Sequence, residues 1–90
     1  MKNGIDLIKE EREKQIVKHG YDLKHDSTHS NKELVLAAMS YLTAAYNHNG
    51  ALGAESWPFD IDTYNFEGYI ESLKKAGAFI AAELDRIQLD

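Results

Sequence analysis

Seven residues near the end of the chain restrict its fold more than any others. Phe66, Ile70, Leu73, Gly77, Ile80, Leu84 and Ile87 follow one another at intervals of 4-3-4-3-4-3. Such spacing returns to one side of an α-helix over six turns and draws a continuous apolar stripe with heptad-like period. A stripe of this length has to be covered, either by the rest of the chain or by another one. Ala76, Gly77, Ala78, Ala81 and Ala82 lie along the same helix, and their small side chains let a second backbone come close.

Two further helices are legible. The first spans about residues 4–19, with Asn3 as N-cap, Asp6 in the first turn and Gly20 as the stop. Its apolar positions are sparse, and between Ile8 and Ile16 it is almost wholly charged. That part either faces water or lines a polar site, since unpaired charges are not buried in an apolar core. The second spans about residues 31–47. Ser30-Asn31-Lys32-Glu33 fits a capping box at its start, and the run from Leu34 to Tyr46 is apolar nearly all round. A helix of that kind belongs at the centre of a bundle or of an oligomer. The third covers about residues 66–88. Between the second and third, Gly50, Gly53 and Pro58 break regular structure, Trp57-Pro58-Phe59 sets two aromatics about a rigid turn, and a short extra turn is expected near residues 60–64. No strand pattern competes. The expected fold class is all-α: one domain over residues 1–90, a three-helix bundle with two polar connectors, assembled as a homo-oligomer.

Ninety residues bury only a thin core, which also favours self-association. There is no cysteine, so disulfides and thiolate metal sites are excluded. No apolar run approaches the roughly 18–20 residues of a membrane span, and the N-terminus lacks the apolar core of a secretory signal. The expectation is a cytoplasmic protein without a membrane partner. A net charge of −5 argues against an extended nucleic-acid surface. The charge is uneven, however: Lys2, Lys9, Arg12, Lys14, Lys18, Lys24 and Lys32 place seven of the ten basic residues before position 33.

Residues 19–29 gather three of the four histidines and two aspartates into a connector. Turn chemistry alone does not require them. Arg12 can fork onto a phosphate, Lys24 adds a point charge, Tyr21 and Trp57 can stack on a base, and His25 and His29 act as pH-sensitive donors. Together these six residues are the candidate pocket for a small phosphorylated, nucleotide-like ligand, with no cofactor. An alternative chemistry uses Glu10 and Glu13, a Glu-x-x-Glu pair on one helical face, with Asp26 as a further ligand for Mg or Mn. Such a site would serve a nucleotide hydrolase. It lacks a second carboxylate pair with the usual Glu-x-x-Asp spacing, and the balance of the residues leans away from an enzyme. The bland readings are a solvated helix face for the acids, helix-start chemistry for Asp26 and His29, and a core plug for Trp57.

The chain resembles a family of small helical proteins encoded by phages and prophages. The resemblance rests on Glu11-Arg12 with Gln15 and Ile16, Gly20-Tyr21, His25-Asp26, His29, and Glu33-Leu34 with Ala37-Ala38 and Tyr41. It continues through Trp57-Pro58, Lys75-Ala76-Gly77-Ala78, and Ala82-Glu83-Leu84 with Arg86. It covers nearly the whole chain and implies a phage-related origin more firmly than an activity. In architecture alone the chain is similar to the MazG-like nucleotide pyrophosphohydrolases, whose carboxylate pattern Glu10 and Glu13 match by half. It is similar in the same limited way to the phage-encoded sponges that sequester cyclic nucleotide signals of bacterial immunity. The latter likeness implies ligand sequestration; a protein-binding module acting on a host protein is the third expectation.

Overall fold

The computed structural model describes residues 1–19 and 32–88, with the backbone alone for residues 17–19. Every element assigned among these residues is helical: α1 (Gly4–His19), α2 (Glu33–Asn47), α3 (Gly50–Ala54), a 3-10 turn (Ile61–Thr63) and α4 (Tyr69–Gln88). The all-α class is as expected, and two short helical elements add to the three long ones. The capping-box residue Ser30 and the stop Gly20 lie outside the described residues.

α1 begins where its cap chemistry places it. The Asp6 amide donates to Asn3 Oδ1 at 2.9 Å, and the Asn3 amide donates back to Asp6 Oδ2 at 3.2 Å. This reciprocal pair satisfies two amides that the first helical turn leaves open. α2 starts at Glu33, two residues later than expected, because Lys32 sits in the left-handed region at φ 65°. It stops at Asn47, where His48 is also left-handed and the amides of His48 and Asn49 close back onto Ala45 and Ala44. Asn49 then caps α3 by accepting from the Ala51 amide at 3.0 Å. α4 begins at Tyr69 rather than Phe66. Gly68, at φ +100°, interrupts the helix there, a conformation open to glycine at little cost.

α4 is the helix against which both α1 and α2 pack. Its face toward α2 is lined by Ser72, Ala76, Phe79 and Ala82, all buried, against Leu34, Ala37, Ala38 and Tyr41. α2 and α4 run antiparallel: the His48 ring, just past the end of α2, lies 5.6 Å from Tyr69 at the start of α4. α1 docks on the other side, where Ile8 seats on Gly77. A Cβ at Gly77 would stand 2.6 Å from Ile8 Cδ1, so a larger residue there would require the Ile8 side chain to shift. The connector then folds back over one face of this layer. α3 lies against α2 with Gly53 pressed onto the Ser40 carbonyl, and Ser40 Oγ and Ser56 Oγ are 3.0 Å apart.

The long stripe is covered within the chain only at Phe66, which packs on Gly50, and at Gly77, beneath Ile8. Ile70 is 67% exposed and Leu84 56%, and Leu73, Ile80 and Ile87 are exposed as well. α2 carries a second outward stripe, Val35, Met39, Leu42 and Tyr46, again at 4-3-4 spacing. Each stripe lies about a quarter turn beyond its helix's contact face, in the direction of increasing residue number, at 3.6 residues per turn. Because the helices are antiparallel, both emerge on the same side of the layer, opposite the connector. The molecule measures 36 × 34 × 19 Å, so it is a slab with one apolar face left open.

The close contact at Gly53 generates a stability prediction. Gly53→Ala should destabilise the fold by about 1–3 kcal/mol, the range of overpacking against fixed backbone. Gly4→Ala, with nothing within 4 Å of the new methyl, should stay within about 0.5 kcal/mol of the parent. Urea unfolding of both variants checks the pair.

Candidate functional site

On the connector side, a cleft of about 600 Å3 opens between α1, the connector and α4. Four rings form its floor. Tyr41 stacks on Tyr64 with centroids 5.1 Å apart, and Trp57 meets Tyr41 edge-on at 5.4 Å and Phe79 at 5.7 Å. Phe59 backs Trp57 from outside at 5.4 Å. Edge-to-face and offset contacts of this kind favour ring pairs beyond simple area burial. Polar ties hold the rings in place. Trp57 Nε1 donates to the Asp60 carbonyl at 3.1 Å and to Thr63 Oγ1 at 3.2 Å. Tyr64 OH donates to the Gly50 carbonyl at 2.7 Å, and Tyr41 OH accepts from the Asn65 amide at 3.0 Å. Asp60 caps the 3-10 turn by accepting from the Asp62 amide. That turn falls within residues 60–64, as the sequence indicates.

The walls are charged. Glu11, Asp62, Glu67 and Glu71 line the cleft with Lys14 and Lys75. Lys75 is already seated: its Nζ lies 2.5 Å from Glu67 Oε1, 2.7 Å from the Asn65 carbonyl and 5.4 Å from the Tyr41 ring centroid. Glu71 accepts from Lys74 at 3.1 Å. From α1, Glu11 and Gln15 face inward and are 6% and 3% exposed. Their spacing of four puts them one above the other on the helix. Thus the charged segment between Ile8 and Ile16 is divided: Lys9, Glu13 and Lys14 are exposed to solvent, while Glu11 and Gln15 supply a wall of a polar site.

Of the six residues that the sequence gathers into one pocket, the structure describes two, Arg12 and Trp57. Trp57 lines the cleft. Arg12 is buried at the junction of α1 and α4, its Nε 3.8 Å from Asp85 Oδ2, and is not among the described lining residues. Glu10 and Glu13 lie at a shallow second cleft with Lys2, Asp6 and Lys9. There Lys2 Nζ stands 2.6 Å from Glu10 Oε2, and this hydrogen bond is the main cause that holds the Glu10 carboxyl below its ordinary 4.5. Tyr21, Lys24, His25, Asp26 and His29 lie outside the described residues. Among the described residues, no group of three or more His, Asp or Glu side chains is placed to hold a metal ion. Gln15, Tyr41, Tyr64 and Lys75 are site residues that sequence reasoning missed. The i, i+4 pairing of Glu11 with Gln15 inside an otherwise charged segment is the signal that was there to find. No family model, no curated protein and no solved structure matches the chain.

Burial raises the Tyr64 phenol above its ordinary 10.0. The folded state therefore favours the neutral phenol, and the associated stability is fully present below pH 10 and is lost as pH rises through the raised value. Tyr64→Phe should cost about 1 kcal/mol near neutrality through the lost hydrogen bond. It should also flatten the decline in stability on the alkaline side, as read by denaturant titration at a series of pH values.

Proposed function

We propose that this chain works as a homodimeric helical binding module, in which the apolar face of α2 and α4 is buried against a second copy and the cleft faces away from it. The outward aliphatics of α4, Ile70, Leu73, Ile80, Leu84 and Ile87, which their own chain leaves exposed, carry this reading. Nine large apolar side chains on the two helices are 39–85% exposed, a patch on the order of the ~800 Å2 per partner of a standard interface. A self-complementary stripe suits a two-fold partner, since identical patches then meet.

Charge supports an apolar rather than an ionic contact. The acids and bases of α4 lie off the stripe and are paired within the chain: Lys74 with Glu71, Lys75 with Glu67, Arg86 with Glu83 and Arg12 with Asp85. No described helix is long and apolar enough to cross a membrane, so a bilayer-spanning role for α4 does not account for the stripe. The phosphorylated-ligand expectation rests mainly on residues outside the described part, and the assembly reading is independent of it and of the hydrolase and host-protein expectations.

Sedimentation velocity tests the proposal. The parent should run as a dimer at about 10 μM, and raising salt several-fold should leave the dimer intact, because screening acts on charges and not on apolar burial. The double variant Ile80→Glu, Leu84→Glu should run as a helical monomer. A parent that is monomeric at this concentration, or a double variant that remains dimeric, overturns the proposal.

A further inference from the structure

The cleft contains one acceptor with no donor. Gln15 lines it, is 3% exposed, and its Oε1 makes no hydrogen bond to a described residue. Leaving a buried acceptor unmade costs on the order of 1–3 kcal/mol, a cost that a ligand donor removes. Beside it, Glu11 is nearly as buried, and Lys14 Nζ stands 4.0 Å from its Oε1, too far for a hydrogen bond. Glu11 and Gln15 thus place two adjacent acceptors in the cleft wall, and no described donor bonds Gln15 Oε1.

We propose that the cleft binds a small organic cation carrying at least two N–H donors, such as an amidinium or a primary ammonium on a compact aromatic body. The donors are directed to Glu11 and Gln15, and the body lies against the half-buried rings of Trp57 and Tyr64. The seat of Lys75 shows the same chemistry inside the chain: an ammonium between a carboxylate, a carbonyl and the Tyr41 ring. The described lining, four acids to two lysines, attracts a cation and opposes a phosphate. The volume falls in the range of ordinary small-molecule sites, roughly 300–1,000 Å3. This site does not depend on the dimer, since it lies on the opposite face.

Trp57 is the only tryptophan, so its indole N–H gives one NMR signal that reports on the cleft. Benzamidinium is the probe, with benzoate and inorganic phosphate as anionic controls, each titrated to about 10 mM, the range of weak binding. The proposal expects a saturable shift with benzamidinium and none with either anion. Glu11→Gln and Gln15→Leu should each weaken binding at least tenfold. Gln15→Leu should also melt at the same or a higher temperature, because it removes a buried acceptor without a donor; a residue with a purely structural role would lower it. No saturable shift with benzamidinium, a saturable shift with either anion, or undiminished binding by the folded Gln15→Leu variant overturns the proposal. Should Gln15→Leu fail to fold, undiminished binding by Glu11→Gln overturns it equally.

Discussion

The rest of the molecule depends on the small-residue contact between α2 and α4. Ala37, Ala38, Ala76 and Ala82, with Ser72, are buried there at essentially no exposure, and their size lets the two backbones approach. That contact commits one face of α4 to alanine and serine. α1 closes onto the same helix through Gly77 and Ile8. Both flanks of α4 are thus taken by small side chains, and its large aliphatics are left to point outward. Leu34 is the one large aliphatic side chain fully buried among the described residues, so the described interior owes its bulk to rings: Tyr41 and Phe79 from the helices, and Trp57, Phe59 and Tyr64 from the connector. The cleft follows from this arrangement. A thin layer of helices is roofed on one side by aromatics, and α1 brings Glu11 and Gln15 to their edge.

Much of the fold was legible because caps and breakers act locally. The exchange between Asn3 and Asp6, the turn near residues 60–64 and the end of α2 before His48 all follow from residues within four positions of one another. The exceptions are also local but need backbone states that residue type states weakly. Lys32 in the left-handed region delays α2, and Gly68 delays α4. The helical turn Gly50–Ala54 was hidden because Gly-Ala-Leu-Gly-Ala has low helix propensity on its own; it is set by the Asn49 cap and by packing on α2. Which face of α4 turns inward was not legible. Periodicity shows that a stripe exists, and hydropathy gives it more weight than a row of alanines, yet the alanines take the contact within the chain.

The site was legible in part, for a different reason. The charged stretch of α1 announces a conflict between burial and solvation, and the structure resolves it toward a polar wall at Glu11 and Gln15. Trp57 was visible as an aromatic beside a proline, and it serves both as ring packing and as cleft floor. Arg12 reads from sequence as a phosphate fork; its burial beside Asp85, seventy-three residues later in the chain, is a long-range contact that no local spacing encodes. The convergence of Tyr41, Tyr64 and Lys75 likewise depends on long-range folding, which no local spacing encodes.

The central claim is that the folded chain is half of a larger apolar core. The dependence of its melting temperature on protein concentration tests this most directly, because dissociation and unfolding are then linked by mass action. The account predicts a melting temperature that rises steadily as the protein is concentrated over about two orders of magnitude. A melting temperature unchanged over that range would show that the α2–α4 face is stable without a second copy, and would contradict it.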